Sequence, residues 1–261
     1  MKVSLITAVR NAEGTISATI ASALSQKCVD LEYIVVDGAS TDGTLERVRA
    51  ARETWPEREF RFLSERDNGL YDAINKGIAM STGDVVGILN ADDVFESDDT
   101  LSAIAAAFDD ETDAVYGDIR FVRGGSTVRY YSGRSWRPWM HAFGHMPPHP
   151  SVYIRRGLFG KLGPYRTDYR ISADFELMVR YFCRARIRTK YLPRCVVQMA
   201  PGGLSTAGFG ATVRLNCENV RANRANGYRS CLAMMLPKYL FKIVGVLFPK
   251  RMERECEKRK V

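Results

Sequence analysis

The stretch GDVVGILNADDVF, Gly83 to Phe95, decides the fold. Val85 to Leu89 form an apolar run of the length and composition of a strand buried on both faces. The run breaks abruptly into Asn90-Ala91-Asp92-Asp93. Carboxylates at the mouth of a hydrophobic strand repel one another and desolvate badly, so such a cluster is favourable only with a cation nearby.

Working outward, strand-like and helix-like segments alternate. Ser4 to Arg10, Leu31 to Asp37 and Phe60 to Ser64 read as strands. Thr15 to Leu24, with Thr15 as N-cap, Leu45 to Arg52, Leu70 to Met80 and Leu101 to Phe108 read as helices. Val115 and Tyr116 end another short strand. This alternation predicts β-α-β units and an α/β fold with a Rossmann-like, mostly parallel central sheet covered on both faces. Polar clusters follow the strands at Asp37, at Glu65 to Asn68 and at Asn90 to Asp93, and ligands of open α/β sheets bind beyond the carboxyl ends of strands. The acidic rim is the candidate site.

Past Asp118 the pattern changes. RFVRGGSTVRYY reads as a hairpin around Gly124-Gly125, Ser151 to Arg155 as a strand, and Ala173 to Arg184 as a helix. Three regions are expected: 1–118, 119–210 sharing the same core, and a basic helical extension over 211–261. The 261 residues carry a formal net charge of +8. CLAMMLPKYLFKIVGVLFP, Cys231 to Pro249, is apolar but broken by Pro237, Lys238 and Lys242, too interrupted for a membrane span of about 20 residues. It reads either as an interfacial helix whose lysines reach anionic headgroups or as a core-capping helix with a solvated tail. The basic stripe Arg214 to Arg229 lacks the aromatic interleaving of a single-strand binder, and no nucleic-acid partner is expected. Six scattered cysteines without a C-x-x-C pair fit reduced thiols. Met1 enters a strand-like run with no leader pattern, and a cytoplasmic location is expected.

Three features carry candidate chemistry. A strand ending in Asn-x-Asp-Asp suits Mg²⁺ or Mn²⁺, which take one or two protein carboxylates and fill the shell with phosphate and water oxygens; a turn with Asp93 capping the next helix is the alternative. Asp174, at the start of a helix, is a carboxylate at a helix N-cap or a general base. His141, His145 and His149 fall close together, but Pro147 and Pro148 stop any helix before His149 and argue against a three-histidine zinc site.

The ordered segments SLITAVRNAEGTISATIASALSQ (Ser4 to Gln26), YIVVDGASTDGT (Tyr33 to Thr44), SERDNGLYDAINKGIAMSTGDVVGILNADD (Ser64 to Asp93) and HPSVYIRRGLFGKLGPYRTDYRISADFELMVR (His149 to Arg180) resemble those of family 2 glycosyltransferases of the GT-A fold. The resemblance spans roughly Val3 to Ser205 and implies an inverting transfer from a nucleotide-sugar, with Mn²⁺ or Mg²⁺. It implies nucleotide-sugar contacts at Thr7, Ala8, Asp37, Asp67, Asn90, Ala91 and Asp92. Asp37 would accept the N3–H of uracil, Asp67 would lie in a loop closing over the base, Asn90 would face the ribose and Asp92 would hold the metal. Asp174 would be the general base, with Ala173 where Glu is common; His149 and Asp93 would lie on the donor-sugar or acceptor side. Asn90 stands where the family's D-x-D begins with Asp, and Asp37-Gly38 where many members carry two acids. Pro201 to Gly210 would be a loop over the diphosphate side, or a plain linker. The expected function is a hexosyl- or N-acetylhexosaminyl-transferase, with a UDP-sugar donor and a glycan acceptor, lipid-linked in surface or exported polysaccharide synthesis. A non-catalytic nucleotide-sugar-binding protein of the same fold, or a nucleotidyltransferase, are the alternatives.

Overall fold

The computed structural model describes residues 1–202, 208–239 and 243. In chain order the regular elements are β1 (Lys2–Val9), α1 (Ile16–Leu24), β2 (Asp30–Asp37), α2 (Thr44–Thr54), β3 (Glu59–Ser64), α3 (Leu70–Met80), β4 (Val85–Ile88), β5 (Val94–Phe95), α4 (Thr100–Ala107), β6 (Ala114–Arg123), β7 (Ser126–Tyr131), β8 (Tyr153–Arg155), α5 (Gly157–Leu162), α6 (Ala173–Met178), β9 (Thr189–Met199) and α7 (Phe209–Ala225). They build one curled sheet in the order β3-β2-β1-β4-β8-β6-β9-β5, with β7 beside β6.

The four strands β3-β2-β1-β4 run parallel. Side chains alternate between faces with the period of two that a strand imposes. Ile6 and Ala8 of β1 and Ile34 and Val36 of β2 join one core with Tyr71, Ile74 and Ile78 of α3. Val3, Leu5 and Val9 with Tyr33 and Val35 join the other, under Ile16, Ile20 and Leu24 of α1. Apolar runs rather than alternating ones are what a sheet covered on both faces requires. Antiparallel strands enter at β8, which pairs with both β4 and β6.

Several sequence expectations change in detail. Thr15 stands at the N-cap position of α1 but makes no capping bond; its hydroxyl turns back to the Ala12 carbonyl at 3.4 Å. Asp93 caps nothing, because α4 begins only at Thr100. The helix expected to Arg184 is α6 followed by a turn of π-helix over Val179–Arg184. The boundary near Asp118 falls inside β6, where Asp118 is buried and accepts hydrogen bonds from Tyr130, Ser132, Gly133 and Tyr191. The two halves share the sheet, and the core behind α3 takes in Phe175, Leu177 and Tyr181 from the second half. At the β6–β7 hairpin, Gly124 (φ 57°) and Gly125 (φ 76°) both adopt the left-handed conformation that a tight two-residue turn demands.

Candidate active site

The carboxyl ends of β2, β1 and β4 lie side by side and bring the predicted rim together. Asp37 ends β2, paired with Val9 of β1. Its carboxylate is only 1% exposed. Oδ1 accepts the Ser40 hydroxyl and Oδ2 accepts the Ser64 hydroxyl at 2.7 Å, with the Ser40 amide reaching both oxygens. Thr7, expected among the nucleotide contacts, lies near the end of β1 with its side chain turned inward. Its hydroxyl donates to the Leu89 carbonyl at 2.8 Å, accepts from Tyr33, and is fully buried. Those bonds tie β1 to β4 beneath the rim. Ala8, next to it, is 9% exposed.

At the end of β4 the acidic corner takes an unexpected form. The Asn90 amide donates to Asp93 Oδ2 at 2.7 Å. Asp93 is fully buried, and among the described residues its Oδ1 finds no hydrogen-bond partner of ordinary geometry. Burial, then the neighbouring Asp92 charge, push its pKa up to about 8; the Asn90 amide and the Ala200 backbone pull the other way. Asn at position 90 therefore supplies a donor where an Asp would add a third carboxylate. Asp92, by contrast, is exposed, and with Ala91 it lines a cleft of about 440 Å³ shared with Asn11, Glu13, Thr15 and Asp42.

Among the described residues no group of three or more His, Cys, Asp or Glu side chains is arranged to hold a metal. One open carboxylate, Asp92, is nonetheless a donor that suits Mg²⁺ or Mn²⁺, since phosphate and water oxygens complete the shell of these ions. The residues fit the cation as a partner of a bound diphosphate, not as a self-sufficient site.

Asp174 lies in the first turn of α6, two residues after the N-cap position at Ser172, so it is not the cap. Its Oδ1 accepts the Phe175 amide at 2.8 Å. Burial raises its pKa, while His149, the Phe175 amide and Tyr71 lower it. Tyr71, from α3, stacks on Tyr165 with centroids 5.8 Å apart, and the Tyr165 hydroxyl meets His149 Nε2 at 2.8 Å. Asn75 pins Tyr165 by bonding its amide and its carbonyl. Burial lowers the His149 pKa, which favours the neutral ring, with the Asp174 carboxylate opposing. Asp174, His149, Tyr71 and Tyr165 thus form one polar-edged aromatic box. Ala173 is fully buried in the core, where a glutamate would lose its solvent. The sequence reading missed Tyr71, because an aromatic at helical spacing looks like core packing, and Tyr165, because an aromatic between two helices carries no local signal of the residues it will meet.

The three histidines do not converge. His141 bonds Asn223 at 2.7 Å and packs on Tyr228, His145 packs on Tyr131, and His149 stays in the Asp174 box. Part of the basic stripe on α7 is spent internally: Arg221 lies over the Tyr169 ring at 3.8 Å and donates to the Asp168 carbonyl, and Arg224 donates to the Ser230 carbonyl. All five cysteines among the described residues are free thiols. β9 delivers Ala200 to Asp93 through the Val94–Gln198 pairing, so the glycine-rich loop leaves from the acidic corner. Residues 203–207 of that loop, and most of the apolar and basic C-terminal stretch from 240 onward, lie outside the described residues. No helix of the described residues is long and apolar enough to cross a membrane.

Residues 4–182 match the family profile described as Glycosyl transferase family 2. A PGL/p-HBAD biosynthesis glycosyltransferase of Mycobacterium bovis is 33% identical over 205 residues, 77% of this chain and 78% of the relative. An uncharacterized glycosyltransferase of Mycobacterium tuberculosis is 30% identical over 183 residues, 68% of each chain. Among solved structures, the mannosyltransferase PcManGT from Pyrobaculum calidifontis, in complex with GDP-Man and Mn²⁺, superposes with a TM-score of 0.61 at 22% identity over 84% of this chain and 64% of that one. S. aureus TarS 1-349 in complex with UDP-GlcNAc gives 0.62 at 18% identity, over 85% and 68%. Likeness at such identities speaks for the GT-A fold. The family match and the curated relatives carry the rest: the chain belongs to glycosyl transferase family 2 and is a glycosyltransferase.

Proposed function

We propose that the chain transfers one hexosyl or N-acetylhexosaminyl residue from a UDP-sugar to a hydroxyl of a glycan acceptor, with inversion at the anomeric carbon. The observation that carries the reading is Asp174. It is a carboxylate of raised proton affinity, held in an aromatic box and fixed to α3, the helix that begins at the nucleotide rim. Asp174 takes the proton of the acceptor hydroxyl as that oxygen bonds to the anomeric carbon. The bond from that carbon to the diphosphate oxygen breaks, and its electron pair leaves with the nucleoside diphosphate. When bound at Asp92, Mn²⁺ or Mg²⁺ supplies charge neutralisation to the departing diphosphate. Neutral His149, fixed by Tyr165, orients the reacting sugars at the mouth of the box. The donor complexes of the two structural neighbours support a nucleotide-sugar ligand.

The acceptor in this reading is lipid-linked, a step in building a surface or exported polysaccharide at the cytoplasmic face of a membrane. The net charge of +8, the basic tail and the exposed Trp139, Leu232 and Leu236 support contact with an anionic bilayer surface.

Product analysis tests the reaction. Free nucleoside diphosphate in step with glycosylated acceptor is the expected result, and pyrophosphate release contradicts it. Asp174→Asn should keep donor binding within about threefold while turnover falls 10²- to 10⁴-fold, the usual contribution of a positioned base. Unchanged turnover removes the assignment.

A further inference from the structure

We infer that Asp67, rather than Asp37, is the carboxylate that meets the edge of the nucleotide base, and that the missing side chain at Gly38 is what lets it stand there. The inference rests on the nucleotide-sugar reading above. Asp37 is nearly inaccessible, and both its oxygens are occupied by Ser40 and Ser64. A base N–H can reach it only by displacing those donors. Its geometry is that of a buried anchor, tying the loop after β2 to the end of β3.

Asp67 has the opposite character. It is partly exposed; Oδ1 accepts the Gly69 amide at 2.9 Å, and no hydrogen bond among the described residues reaches Oδ2. A Cβ placed on Gly38 would lie 2.2 Å from that Oδ2 and 3.1 Å from its carbon. The Asp67 carboxylate therefore occupies the space a side chain at 38 would fill, directly against the Asp37 tip. The Arg10 stem closes the other side at 3.5 Å.

The loop bearing Asp67 is held at four points. The Glu65 amide donates to the Asp37 carbonyl at 3.0 Å, Lys76 Nζ donates to the Arg66 carbonyl at 2.8 Å, the Gly69 amide binds Asp67, and the Asn68 amide binds Asp72. Lys76 also offsets the Asp67 charge, since Asp67 is among the groups raising the Lys76 pKa. A preplaced carboxylate with one free oxygen accepts a ring N–H. Uracil offers that donor at N3, whereas cytosine has only a lone pair there. Asp67 is thereby a specificity-determining residue for bases that carry a ring N–H.

Isothermal titration of the full chain with UDP and with CDP, in Mn²⁺, tests this beside thermal melting. The wild-type chain should bind UDP at least tenfold more tightly than CDP. Asp67→Ala should lose that preference to within about threefold, with the melting temperature lowered only slightly by loss of the acceptor for the Gly69 amide. Gly38→Ala, which leaves every carboxylate present but evicts Asp67, should do the same. Asp37→Asn, or Ser64→Ala should Asp37→Asn not fold, should lower the melting temperature and leave the UDP preference standing. A preference that survives Asp67→Ala, or that vanishes in Asp37→Asn at unchanged stability, overturns the assignment while leaving nucleotide binding intact. Absence of any nucleotide binding by the wild-type chain instead overturns the donor reading itself, and the Asp67 role with it.

Discussion

The Tyr71 hydroxyl lies 3.4 Å from Asp174 Oδ1 while donating its proton to the Ile171 carbonyl. One hydroxyl has one proton, so the bond to Ile171 leaves Asp174 only a weak share of it. The carboxylate is therefore positioned by the Phe175 amide and its surroundings but keeps capacity to accept a further proton. This is the arrangement a general base needs.

The pH dependence of turnover follows. A base must be deprotonated to act, and burial raises the Asp174 pKa above the usual carboxylate range. The acid limb of kcat should lie correspondingly above the range of an exposed carboxylate, with activity lost as the pH falls through it. Tyr71 is one of the groups lowering that pKa. Tyr71→Phe should move the acid limb to higher pH while KM for the donor changes less than kcat does at acidic pH. An unmoved limb in a pH–rate profile would mean that Asp174 is not the titrating base.

Asn90 makes a second test. Its amide is the donor that reaches Asp93, whose charged form is already disfavoured by burial and by Asp92. Asn90→Asp replaces that donor with a like charge next to an orphaned carboxyl, a combination that destabilises. The melting temperature should drop below that of the wild-type chain, more at pH 9 than at pH 6, because Asp93 and the introduced carboxylate cannot both ionise cheaply. Equal melting curves at both pH values would refute the role given to Asn90.

The buried histidines predict the acid side of stability. Burial lowers the His145 pKa to about 4, with the positive charges of Arg129 and Lys238 acting the same way. The unfolded chain, with an ordinary histidine near 6.5, binds more protons between those values. Stability contributed by the neutral ring is thus fully present above pH 6.5 and lost as the pH falls toward 4, by at most about 1.4 kcal/mol per pH unit. His145→Gln should flatten this part of the curve in urea titrations run at pH 7 and pH 4.5. A slope as steep as that of the wild-type chain would assign the acid sensitivity elsewhere.

Glu176 tests the support behind Asp174. Its side chain is 2% exposed and pairs with Arg180 at 2.9 Å. It also accepts from Asn226 beyond the end of α7. Arg180 in turn caps the carbonyls of Leu162, Gly163 and Pro164. Glu176→Ala leaves a guanidinium partly buried without its counter-charge, a change that costs roughly 3–5 kcal/mol. Chemical denaturation should register that loss, and a change below about 1 kcal/mol would show the pair to be dispensable.

The rim itself was legible in the chain alone. The run into Asn90-Ala91-Asp92-Asp93 and the Asp37 tip mark strand ends because a buried parallel strand needs unbroken apolar residues and its exit needs polar ones. Alternation of strand and helix placed those ends on one rim. What stayed hidden were relations between segments distant in sequence. Nothing local says that Thr7 is tied to Leu89, that Ser64 fills a lone pair of Asp37, or that the space over Gly38 is taken by Asp67 from a loop nearly thirty residues on. Likewise, the box of Tyr71, Tyr165 and His149 around Asp174 joins α3 to segments eighty to one hundred residues later.

The sequence by itself determined the α/β class and the rim, because periodicity and strand-end chemistry are local properties of neighbouring residues; the family came from the resemblance of its ordered motifs. Only the tertiary structure decided which carboxylates face solvent and which are buried. Asp92 is open while Asp93 is enclosed, and among the described residues Asp67 has an oxygen that accepts no hydrogen bond while both oxygens of Asp37 accept one. The physical reason is that desolvation and hydrogen-bond saturation depend on what other elements bring to the same point, and adjacent aspartates in a chain can meet opposite surroundings.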